Sequence, residues 1–129
     1  MNNGGILFIG IGAISGAIAV ALGAFAAHSL RRTISPEMLS VFETAVRYQM
    51  YHCFALIATG FALHLLPVQH TGTLRGAGWC FLIGSMVFSG SLYLLVFFDQ
   101  RWLGAITPLG GLLLIGAWCL LAWSCFRSV

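Results

Sequence analysis

Apolar residues fill this chain in four long runs, and short polar breaks between them hold nearly all of its charge. The runs extend from Gly5 to Ala27, Tyr48 to Leu66, Gly76 to Phe98 and Leu103 to Phe126, with no Lys, Arg, Asp or Glu inside those limits. A helix needs about 20 apolar residues to cross the hydrocarbon core of a bilayer, and each run has about that length. The pattern therefore predicts an all-α integral membrane protein, a four-transmembrane-helix bundle forming a single domain over 1–129. Residues 36–47 behave differently. Ser35-Pro36-Glu37 reads as a helix start, with a Ser cap, Pro at the first position and an acid in the first turn. Met38, Leu39, Val41, Phe42, Ala45 and Val46 then make one apolar helical face, while Glu43 and Arg47 stand four apart and can pair. This predicts a short amphipathic helix in the first loop, lying at the interface and running directly into the second span.

Composition sharpens the class. The chain has 129 residues, of which 60% are hydrophobic and 7% charged, against roughly a quarter charged in a soluble domain. It has no lysine, and its net charge of +3 is dispersed. No nucleic-acid surface follows from that; arginines flanking membrane helices do. Ala24-Phe25-Ala26 resembles a signal cleavage site, but no basic segment precedes the run, which is longer than a signal core, so it is read as an uncleaved span. Cys53, Cys80, Cys119 and Cys125 all fall inside spans without metal-ligand spacing and read as buried, inert thiols.

Four spans put both termini on one side, together with the loop 67–75. The other side holds the loops 29–47 and 99–102. That side carries Arg31, Arg32, Arg47 and Arg101, against Arg75 and Arg127, and the excess of basic residues predicts that the first and third loops are cytoplasmic. Small residues stripe the first span at Gly5, Gly12, Gly16, Ala19 and Gly23, and Gly12 and Gly16 form the spacing that lets helices approach closely. Gly90, Gly104, Gly110, Gly111 and Gly116 extend the same expectation to the last two spans. Packing within one bundle is the simplest use of these faces; a homo-oligomer is the other.

Sorted by depth, the polar residues gather at the side of the first and third loops. His28 closes the first span there, and Tyr48, Gln49 and His52 open the second. Ser89, Ser91 and Tyr93 occupy the later half of the third, Asp99 and Arg101 follow in the turn, and Thr107 and Pro108 open the fourth. Polar groups in hydrocarbon must find partners. The expected feature is thus a polar pocket built from His28, Glu43, Arg47, Tyr48, Gln49, His52, Ser89, Ser91, Tyr93 and Thr107, with Pro108 freeing a backbone carbonyl. A hydrogen-bonded plug that fixes helix register is the alternative use of the same residues. Two histidines with Glu43 are a thin ligand set, and no haem motif accompanies His28 and His52, so neither a metal nor another cofactor is expected. No Ser-His-acid set has supporting context.

Four segments carry a family resemblance. Gly23-Ala24-Phe25-Ala26-Ala27-His28 is similar to a GAFGAH segment, Tyr48-Gln49-Met50-Tyr51-His52 to YQxxH, Phe88-Ser89-Gly90-Ser91-Leu92-Tyr93 to FSGSLY, and Thr107-Pro108-Leu109-Gly110-Gly111 to TPxGG. Together, in this order, they resemble the family of small membrane proteins known as domain of unknown function 423, with transmembrane protein 256 as a distant relative. Ala26 departs from the pattern, where the family has Gly. The resemblance implies a four-helix protein of the bacterial inner membrane and carries no activity with it. It groups His28, Tyr48, Gln49, His52, Ser89, Ser91, Tyr93, Thr107 and Pro108 into one shared feature.

Function then narrows to three classes. A chain of four short-looped helices leaves little room for a catalytic domain, which points to a non-enzymatic accessory or structural component of a membrane complex. The polar cluster points instead to binding or passage of a small molecule, lipid or proton, in an oligomer. An enzyme would need Glu43 paired with His52 or His28 as acid and base.

Overall fold

A computed structural model describes residues 3–128, which form four long helices and, among the described residues, no strand. These are α1 (Asn3–His28), α2 (Pro36–Leu65), α3 (Thr71–Phe98) and α4 (Thr107–Phe126), joined through single turns of 3-10 helix at Leu30–Arg32, Val68–His70 and Arg101–Ala105. Helices adjacent in the chain pack side by side, α1 on α2, α2 on α3 and α3 on α4, as short loops require.

Glycines set the closest approaches. A Cβ on Gly12 would fall 2.7 Å from the Cys53 carbonyl, and one on Gly60 2.6 Å from that of Gly5. The two backbones therefore touch, and α1 and α2 run antiparallel in a fixed register that ends with Phe25 against Phe42. Gly110 plays the same part between α4 and the backbone of α3 at Phe88. Gly78 makes room for the Phe8 ring. Gly16 meets only the Cys53 side chain, and Gly23 and Gly111 only side chains at ordinary contact distance. The expectation fails at Gly90 and Gly116, where an added Cβ would meet nothing within 4 Å.

Two apolar cores result. Phe8, Leu56, Leu74, Phe81 and Leu114 fill the first, and Ala26, Leu30 and Phe42 the second, at the end of the bundle near the first loop. The second core corrects the reading of residues 36–47. They run directly into the second span as expected, as the start of one continuous α2, but they are packed into the bundle rather than lying at an interface. Their apolar face is buried in protein, with Phe42 and Ala45 both at 0% exposure. The start is as anticipated: Met38 N–H donates to Ser35 Oγ at 3.2 Å, and Pro36 opens the helix. Glu43 and Arg47 are exposed and form no ion pair with each other.

The fourth helix begins later than expected. Residues 101–105 wind as 3-10 helix, so Pro108 occupies the first turn of α4, where a missing N–H has no partner to lose. No carbonyl is freed inside a helix. Asp99 ends α3 in the left-handed conformation at φ 51°, which a short polar residue tolerates. The cysteines also divide: Cys53 is buried and Cys80 half-buried, but Cys119 and Cys125 stand exposed on α4.

Three stretches are long and apolar enough to cross a membrane: Asn3–Arg32, Val68–Phe98 and Arg101–Phe126. The exception, α2, is of similar length at 30 residues but more polar. Its polar residues face inward, since Gln49, His52 and Thr59 are 8%, 5% and 0% exposed. Its outward positions Tyr51, Phe54, Phe61 and Leu65 are apolar or aromatic and exposed.

Candidate functional site

The geometry of α2 divides the expected polar pocket in two. Gln49 faces α1 and α3, and His52 faces α3 and α4. The Gln49 amide lies between three helices: Nε2 donates to the Ser15 carbonyl at 3.0 Å and reaches Ser15 Oγ at 3.4 Å. Its Oε1 accepts from the Tyr93 hydroxyl at 2.8 Å. One turn away, Ser89 Oγ donates to the Ala45 carbonyl at 2.8 Å, tying α3 to α2 again. An amide offers donors and an acceptor, so one side chain bridges both neighbouring helices.

His52 is fixed from both ring nitrogens. Nδ1–H donates to the Tyr48 carbonyl at 2.6 Å, and Nε2 accepts from the Trp118 indole N–H at 3.3 Å. A carbonyl only accepts and an indole N–H only donates, so these partners select the neutral ring with its proton on Nδ1. Protonating Nε2 would set two N–H groups against each other. Phe81 and Trp118 surround the ring, and Tyr48 stacks on Phe88 with centroids 4.5 Å apart. At the bundle end, Ser91 donates to the Phe88 carbonyl at 2.9 Å and lies 2.7 Å from Thr107 Oγ1. The serine proton is already engaged, so Thr107 donates and fastens the start of α4 to α3.

Three expected members do not join. His28, Glu43 and Arg47 are exposed. Because Phe25 meets Phe42 and the two helices run antiparallel, His28 lies level with the first turn of α2 near Leu39, about thirteen residues or roughly 20 Å of helix rise from His52. Glu43 is nine residues from His52 on the same helix, roughly 13 Å at 1.5 Å per residue. The acid–base pair Glu43–His52 is therefore not assembled, and His28 and His52 do not meet. Among the described residues, no three His, Cys, Asp or Glu side chains come together to hold a metal ion.

Two cavities border the polar groups. One, of about 410 Å³, opens between α1, α2 and α3, with Ile11, Ile14, Ile18, Leu82 and Met86 beside Ser15, Gln49, Ser85, Ser89 and Tyr93. The other, of about 520 Å³, lies between α2, α3 and α4 against Tyr48, Tyr51, His52, Phe88 and Trp118. Sequence reasoning missed Ser15, Ser85 and Trp118. Ser15 lay hidden in a stripe of small residues read for packing. An indole N–H in an apolar span needs an acceptor, a signal that Trp118 shares with Trp79 and Trp123.

An all-helical chain with an apolar outer surface and inward-turned polar side chains is a membrane protein. Comparison with known proteins identifies the kind. The chain belongs to the family described as protein of unknown function DUF423, which matches residues 22–111. It is 44% identical to a UPF0382 membrane protein of Staphylococcus haemolyticus, over 95% of this chain and 98% of that one. YwdK of Bacillus subtilis, also named a UPF0382 membrane protein, is 43% identical over 89% and 92% of the two chains. A UPF0382 membrane protein of Haemophilus influenzae is 42% identical over 90% of each. No solved structure matches the chain.

Proposed function

We propose that this protein is a non-enzymatic, four-spanning component of the bacterial inner membrane that acts within a larger membrane assembly. In this reading α2 crosses like its neighbours, both termini share one side, and the loops bearing Arg31, Arg32 and Arg101 face the cytoplasm. One observation carries the non-enzymatic reading: Gln49, His52, Ser89 and Thr107 are held by partners on neighbouring helices. No sealed side-chain polar atom lacks a partner among the described residues, and no carboxylate stands near His52. Gln49, His52, Ser89 and Thr107 then act as register pins between helices that lipid alone does not drive together.

Cross-linking tests the assembly. Cys119 is exposed on α4, beside an outward groove lined by Leu112, Gly116 and Trp123. A thiol cross-linker applied to native membranes is expected to join Cys119 either to a second copy or to one defined membrane protein. Cysteine-free chains give the baseline. Uncross-linked monomer alone, together with a single-subunit particle in mild detergent, overturns the proposal.

A second reading is favoured by the cavity between α1, α2 and α3. It faces the surrounding lipid between two apolar helices and is lined without any charged residue, which fits capture of a neutral, lipid-soluble molecule.

A further inference from the structure

Buried hydroxyls inside membrane helices ordinarily donate to a carbonyl of their own helix. Thr59 donates to Ala55, Ser91 to Phe88 and Ser124 to Leu120, while Ser89 reaches across to Ala45. Ser85 is the exception. It is 8% exposed, borders the cavity between α1, α2 and α3, and makes no hydrogen bond among the described residues. Its oxygen opens onto the cavity rather than being sealed in protein, so it does not count as an orphaned group. Ser15, on the same wall, accepts from Gln49 but has no acceptor for its own proton. Two hydroxyl protons therefore border an otherwise apolar space of about 410 Å³, a size that suits a small organic ligand.

The surroundings specify the ligand. No charged side chain borders the cavity, which selects a neutral molecule. Two protons without acceptors call for an acceptor oxygen. Depth narrows the choice further: α3 runs from Thr71 to Phe98, and Ser85 is at its midpoint. Ester carbonyls of a phospholipid stay near the headgroups and do not reach there. The carbonyl must belong to a head that itself dissolves among the acyl chains. We infer that this cavity binds a quinone-class lipid, with a ring carbonyl accepting from Ser85 and the apolar tail leaving between α1 and α3. The inference rests on the second reading above and names its ligand.

The full-length protein in phosphatidylcholine nanodiscs, titrated with a decyl-chain benzoquinone against empty nanodiscs, tests it. Wild type is expected to saturate at one quinone per chain. Ser85→Ala is expected to weaken binding about tenfold. Gly90→Leu is expected to abolish it, because Gly90 borders the cavity and a Cβ added there meets nothing within 4 Å. An unchanged melting temperature for Gly90→Leu confirms that the fold survives. Absence of saturation in wild type, or equal binding by Gly90→Leu, overturns the quinone assignment. Mass spectrometry of lipids carried through purification separates this from the broader reading. A different neutral lipid held by wild type and lost in Gly90→Leu removes only the quinone, whereas identical lipid content in both removes the ligand site as well.

Discussion

Gln49 joins three helices through one amide, and its partners explain why a polar residue is tolerated inside a lipid-facing bundle. Interhelical hydrogen bonds in membranes contribute roughly 0.6 kcal/mol on average and up to about 1.7. Tyr93→Phe, which removes one bond to Gln49, is expected to cost about 1 kcal/mol, and Gln49→Leu somewhat more because it also leaves Ser15. The double variant is expected to cost less than the sum, since both changes remove the same contact. Unfolding in mixed detergent micelles measures all three, and strict additivity would show that the pair does not couple. These residues were partly legible in the sequence. Tyr48, Gln49, His52, Ser89, Ser91, Tyr93 and Thr107 stood out as polar groups at similar depth. Their division into two faces was not legible, because it depends on which neighbour each side of α2 meets. His28 was grouped with them by depth and by the shared segments, neither of which says anything about direction.

At the scale of the helices, glycine position decides more than glycine count. Gly12 and Gly60 sit where backbones touch, and Gly90 and Gly116 where nothing does. Gly12→Val is expected to force α1 and α2 apart and to destabilise by more than about 2 kcal/mol, in the range of overpacked cores. Gly116→Ala is expected to be neutral or slightly stabilising, as alanine favours helix by up to about 1 kcal/mol. Thermal melting of the two variants side by side checks the contrast, and equal losses would contradict the register described. Pro108→Ala is expected to shift stability by less than about 0.5 kcal/mol, because the proline is in the first turn of α4 rather than at a kink. Sequence pattern located each helix within a few residues. It misplaced Pro108 because a 3-10 turn and the start of an α-helix are equally apolar here. It found the apolar face of residues 36–47 but placed it at an interface, because the pattern does not say whether such a face meets lipid or protein.

For the whole molecule, polarity and position are exchanged between helices. The helix α2, which buries Gln49, His52 and Thr59, is packed against both α1 and α3 and reaches α4 through His52 and Trp118. The other three carry the more uniformly apolar stretches. The helix α2 is less uniformly apolar, although Tyr51, Phe54, Phe61 and Leu65 give it an apolar outer face. Central to the proposed four-span arrangement is the claim that this protein-facing helix crosses the bilayer. Single cysteines placed at Thr33, before α2, and at Val68, after it, in a cysteine-free background test that claim most directly. A membrane-impermeant maleimide applied to intact spheroplasts is predicted to label one position, and to label the other only after lysis. Labelling of both positions from the same side would contradict the account.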